Sequence, residues 1–100
     1  MKKWTLRNLP IGSESDFNKI ESVLTQNNIR ESDFLIFSEG EYCLIEIKGN
    51  KRDYGNELIK SICVLLLSEI KADRMLYCDE GIPVEFLNSE ILREKCKNDL

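Results

Sequence analysis

Residues 34–48, FLIFSEGEYCLIEIK, decide how this 100-residue chain is read. An apolar run from Phe34 to Phe37 breaks at Ser38-Glu39-Gly40-Glu41 and resumes from Tyr42 to Lys48. Two β-prone runs separated by a short turn that contains glycine predict a β-hairpin. In the second run Cys43, Ile45 and Ile47 alternate with Tyr42, Leu44, Glu46 and Lys48. One face of that strand is therefore apolar, and the other carries a carboxylate and an amine two positions apart. Pairing the two arms about residues 39 and 40 sets Asp33 roughly opposite Glu46.

On the N-terminal side, Ser13 followed by Glu14 and Asp16 reads as a helix start, with a capping hydroxyl and acidic residues in the first turn. Phe17, Ile20, Val23 and Leu24 continue it as an apolar stripe that ends near Asn27-Asn28. Residues 2–9 precede it as a short strand or arm closed by Pro10 and Gly12. On the C-terminal side, the polar loop Gly49 to Gly55 leads to a helix over 56–70 whose centre, ICVLLL, is apolar almost all round and predicts burial against a sheet. A third strand follows over 75–78. After the turn at Gly81 and Pro83, residues 84–96 read as a helix or a short strand plus helix. Strands alternating with helices predict an α/β domain: a small mixed β-sheet with a central hairpin flanked by helices. The length gives one domain, 1–100.

Composition narrows the chemistry. Eighteen acidic against fourteen basic residues give a net charge of −4, which disfavours a dedicated nucleic-acid binder unless bound cations neutralise part of that charge. There is no histidine, which excludes Ser-His-Asp and Cys-His catalysis and histidine-ligated zinc. The four cysteines, Cys43, Cys63, Cys78 and Cys96, show no metal-ligand spacing and read as core residues. Trp4 reads as a packing anchor. No secretory signal or membrane-spanning run is evident, so a cytoplasmic location is expected.

Asp33, Glu46 and Lys48 form the pattern D-x(12)-E-x-K. E-x-K alone carries little information, since Glu69-Ile70-Lys71 repeats it at a helix end. What distinguishes Glu46-Ile47-Lys48 is its strand setting, the upstream Asp33, and the basic loop residues Lys51 and Arg52, suited to contacting phosphates without reading sequence. In this setting SDFLIFSEGEYCLIEIKG resembles the core motif of PD-(D/E)XK nucleases, particularly the small archaeal Holliday junction resolvases. The resemblance runs from Asp33 to about Cys78. Ser32 stands where the family usually has proline, and a strand many members carry between the first helix and the Asp strand has no room here.

The resemblance implies a trimmed restriction-endonuclease-like core and a metal-dependent endonuclease that hydrolyses DNA, including branched DNA. It implies Mg2+ or Mn2+ held by Asp33, Glu46 and the carbonyl of Ile47, with Lys48 assisting the attacking water. It also implies an acidic residue from the first helix, for which Glu14 is preferred over Glu21, and a DNA contact from Lys60 beside those of Lys51 and Arg52. A homodimer follows, with helix 56–70 or the last helix as interface. The rival expectation keeps the fold without hydrolysis, as a protein-interaction or regulatory module.

Overall fold

The hairpin forms as the alternation requires. In the computed structural model, which describes residues 1–98, strands β2 (Phe34–Glu39) and β3 (Tyr42–Gly49) pair antiparallel from Glu39↔Tyr42 to Phe34↔Ile47. Gly40 holds φ 66 at the first position of the two-residue turn, a conformation that glycine adopts without the Cβ penalty. The turn is thus centred on Gly40-Glu41, one position later than the sequence reading. Leu35, rather than Asp33, lies opposite Glu46.

The N-terminal segment is a full strand, β1 (Lys2–Pro10), at the centre of a five-stranded sheet of order β2-β3-β1-β4-β5. It pairs with β3 on one side and with β4 (Arg74–Cys78) on the other, and β5 (Val84–Leu87) closes the far edge; all four pairings are antiparallel. β1 carries one extra residue between Leu6 and Leu9, and Asn8 absorbs it at φ 61.

Helices α1 (Glu14–Gln26) and α2 (Asn56–Ile70) match the two predicted helices closely. Ser13 is the N-cap of α1 and forms a capping box with Asp16, whose carboxylate accepts hydrogen bonds from the N–H groups of Gly12 at 2.7 Å and Ser13 at 3.2 Å. The Ser13 hydroxyl meets that of Ser15. α2 ends on Lys71, in the left-handed conformation at φ 59, so the second E-x-K is a helix terminus. The last segment is β5 followed by α3 (Ser89–Asn98), whose start is capped by the Asn88 side chain on the N–H of Ile91.

Every buried strand residue alternates onto one face. Trp4, Leu6, Leu9, Phe34, Cys43, Ile45, Ile47, Met75 and Tyr77 join Ile20, Val23 and Leu24 of α1 and Ile59, Ile62, Cys63, Leu66 and Leu67 of α2 in one core. Fully burying each of the larger aliphatic side chains contributes about 1.5–3 kcal/mol. The opposite face of the sheet holds Lys3, Thr5, Leu35, Phe37, Leu44, Glu46, Lys48, Arg74 and Leu76, exposed or half-buried. Among the described residues no helix is long and apolar enough to cross a membrane.

Candidate functional site

The residues expected to converge start from neighbouring positions on the hairpin. A 3₁₀ turn, Glu31–Asp33, delivers Asp33 to the start of β2, while Glu46 and Lys48 lie near the end of β3, followed by the loop and α2. The local order of elements around Asp33 and Glu46-Ile47-Lys48 is therefore the order that the sequence motif implies.

The side chains do not meet. Asp33 sits in the 3₁₀ turn rather than in the pleat, and its carboxylate accepts a 2.5 Å hydrogen bond from the Tyr54 hydroxyl. The ring of Tyr54 is in the core, 2% exposed and packed edge-to-face on Trp4 at 6.3 Å between centroids. Its hydroxyl also accepts the backbone N–H of Arg30 at 3.1 Å. The guanidinium of Arg30 lies 3.6 Å from Asp33 and 3.1 Å from Asp53. The Tyr54 hydroxyl, then Asp53 and Asp33, hold Arg30 still more firmly charged than usual. Asp33 is thus part of a clasp that ties the loops at residues 30 and 53 to the core.

Glu46 belongs to the other face. It is half-buried among the side chains of the helix-free surface, and its carboxylate pairs with the ammonium of Lys3 at 3.1 Å across β1. Lys48 is exposed on that same face, opposite Lys3 in the strand register. The backbone of Ile47 turns the other way. In a two-residue hairpin the pair flanking the turn is hydrogen-bonded, and the pattern alternates along the strand. Glu46 therefore addresses β2, and the peptide groups of Ile47 address β1 at Trp4.

The donor set expected for Mg2+ or Mn2+ does not fit one cation. The Asp33 oxygen reaches Tyr54 on the helix-covered side, the Glu46 oxygen reaches Lys3 on the open side, and the Ile47 carbonyl faces a neighbouring strand. Among the described residues no group of three or more Asp, Glu, Cys or His side chains is placed to hold a metal ion. Glu14 begins α1, a helix of thirteen residues and about 20 Å, and Asp33 follows its far end, seven residues beyond Gln26. Glu21 is exposed midway along the same helix.

The basic residues divide as well. Lys51 and Arg52 are exposed in the turn after β3. Lys60 lies on α2 with its ammonium 3.7 Å from Glu57 and over the Tyr77 ring at 5.9 Å, so it packs on the domain itself. The polar cluster that sequence reasoning missed is Lys2, Trp4 and Asn56: the Asn56 side-chain oxygen accepts from the Lys2 ammonium at 2.6 Å and from the Trp4 indole at 2.9 Å. No local pattern announces it, since its members come from β1 and the start of α2. A cleft of about 770 Å³ opens beyond the last β1–β4 pair, Arg7↔Leu76, lined by Asn8, Asp16, Tyr42, Asp73, Arg74 and Glu85. None of Asp33, Glu46 or Lys48 borders it. Of the cysteines, Cys43 and Cys63 are core residues, whereas Cys78 is half-buried and Cys96 is exposed, against the reading of all four as core.

No protein-family model matches the chain, and no curated protein and no solved structure matches it.

Proposed function

We propose that this domain is a non-hydrolytic protein-interaction module that retains the element order of PD-(D/E)XK nucleases around its hairpin and uses the helix-free face of its sheet for binding. The observation that carries this reading is the separation of the two carboxylates. Asp33 is committed to Tyr54 and Arg30, and Glu46 to Lys3, on opposite sides of β3. A two-carboxylate magnesium site needs both oxygens on one ion, with several waters retained around it.

The open face supports the binding role. Leu35 is 56% exposed and Phe37 41%, beside the half-buried Leu44, with Lys3, Lys48 and Arg74 spread among them. Contiguous exposed apolar side chains rimmed by charge are the composition of a protein-binding surface. Two free core thiols and no disulfide agree with an intracellular setting.

The test is a cleavage panel of linear, supercoiled and four-way-junction DNA with Mg2+ or Mn2+. The expected result is no cleavage by the wild type on any substrate. Metal-dependent cleavage that Glu46→Ala or Lys48→Ala abolishes, in a protein that stays folded, would replace this reading with the endonuclease.

A further inference from the structure

We infer that the free edge of β2 takes up an extended segment of another protein as a further strand of the sheet, a segment apolar at alternate central positions and carrying Lys or Arg at both ends. The inference rests on the reading of the domain as an interaction module and names the chemistry of its partner.

The two edges of the sheet differ in how they are guarded. β5 is four residues long, follows Pro83 and carries Glu85 in its middle, and α3 begins two residues after it. Short length, proline and charge are the ordinary means of blocking an edge. β2, FLIFSE, has six residues, with no proline, no lysine and no bulge, and its only charge is the terminal Glu39. Its unpaired backbone is open to strand addition.

The hairpin geometry says which groups are free. Glu39↔Tyr42 flanks a two-residue turn and is hydrogen-bonded, so Leu35 and Phe37 also direct their peptide groups inward to β3. Phe34, Ile36 and Ser38 direct theirs outward. A strand laid antiparallel along this edge, centred opposite Ile36, pairs with all three. Its residues beside Leu35 and Phe37 then stand on the helix-free face, next to the two most exposed apolar side chains of β2. Those two positions suit β-branched apolar residues.

Charge names the ends of the incoming strand. Carboxylates bracket β2: Glu31 and Asp33 precede it, and Glu39 and Glu41 lie at its turn end. Glu31, Glu39 and Glu41 are exposed, and among the described residues none of them enters an ion pair. Arg30 is shared between Asp33 and Asp53, so that group of three stays acidic. The cations Lys48, Lys51 and Arg52 belong to β3 and the turn after it, one strand in from the edge, and Lys51 borders Lys2 and Trp4 on the β1 side. A second copy laid antiparallel here would set Glu39 and Glu41 against Asp33 and Glu31, like against like. A strand with basic ends meets opposite charge at both.

The probe is the peptide KKTVTVTKK, whose valines and inner lysines share one face of a strand, with EETVTVTEE as the charge-reversed control. KKTVTVTKK is expected to slow hydrogen exchange at the outward N–H groups of Phe34, Ile36 and Ser38, less so as salt is added. EETVTVTEE is expected to leave them unchanged. Ser38→Pro removes one outward donor at an exposed edge position, where proline is tolerated, so the variant keeps its fold. It should bind KKTVTVTKK about tenfold more weakly. Absence of protection at about 1 mM peptide overturns the inference. Equal binding of the two peptides, or a Ser38→Pro variant that binds like wild type, does the same. A chain that sediments without peptide at twice its 11.6 kDa mass, and at one mass as Ser38→Pro, gives the edge to a second copy and also overturns it. None of these results touches the cleavage panel, so the interaction reading and its proposed partner fail separately.

Discussion

Gly49 closes directly on the ring of Tyr54: a Cβ built at Gly49 would stand 2.3 Å from Cδ2 and 2.5 Å from Cε2 of that ring. Position 49 continues the core-facing series of β3, and the missing side chain is what admits the aromatic ring beneath Trp4. Gly49→Ala therefore has to displace a buried ring rather than a flexible tip. The expected loss is about 3 kcal/mol of unfolding free energy, read from the urea midpoint. A Gly49→Ala protein as stable as wild type would show that the ring has room to retreat.

The hydroxyl of the same tyrosine yields a second expectation. It joins the Asp33 carboxylate to the backbone of Arg30, and Tyr54→Phe leaves both without that partner at no change in ring packing. A loss of about 1–3 kcal/mol is expected. Glu46 with Lys3 is an ion pair at the open surface, so Glu46→Gln should cost no more than about 1 kcal/mol. The ordering Tyr54→Phe above Glu46→Gln, measured in one denaturation series, is the check. Equal and small effects would mean that water replaces the Tyr54 bridge.

A third expectation concerns alkaline pH. Burial pushes the Cys43 thiol up to about 11 and the Cys63 thiol to about 12, and burial with Asp79 nearby pushes the Tyr77 hydroxyl to about 12. The ordinary values are 9.0 for the thiols and 10.0 for the phenol, so between those values and 11–12 the folded chain binds more protons than the unfolded one. These groups contribute stability that is complete below about pH 9 and is lost as pH rises through the folded values. The urea midpoint should hold to about pH 9 and then fall steadily. A flat profile to pH 11 would contradict the burial of these groups.

Much of the fold is legible because it is written in local periodicity. The 3.6-residue stripe of Phe17, Ile20, Val23 and Leu24, the alternation from Tyr42 to Lys48, and the apolar centre of α2 each specify an element and its buried side. Neighbour choice is not local. Nothing in residues 2–9 says that they insert between β3 and β4, because strand partners are set by packing across the whole sheet. The candidate site was legible only as a motif. The register moved because Gly40 took the first place in the turn, and Asp33 left the pleat for a 3₁₀ turn. Its carboxylate then found a hydroxyl twenty-one residues further on, carried by a loop whose course the sequence does not declare.

The central position of β1 has a consequence for how the chain reaches this state. β1 is synthesised before either strand that flanks it, and its partners are distant along the chain: Trp4 waits for Ile47, and Leu6 for Tyr77. Until both arrive, a nascent chain exposes the two edges of β1 and the apolar side chains of Trp4, Leu6 and Leu9 together. Non-local pairing of this kind slows folding. The protein is therefore most open to capture by chaperones, or to aggregation, before Tyr77 has been made and β4 can close the sheet.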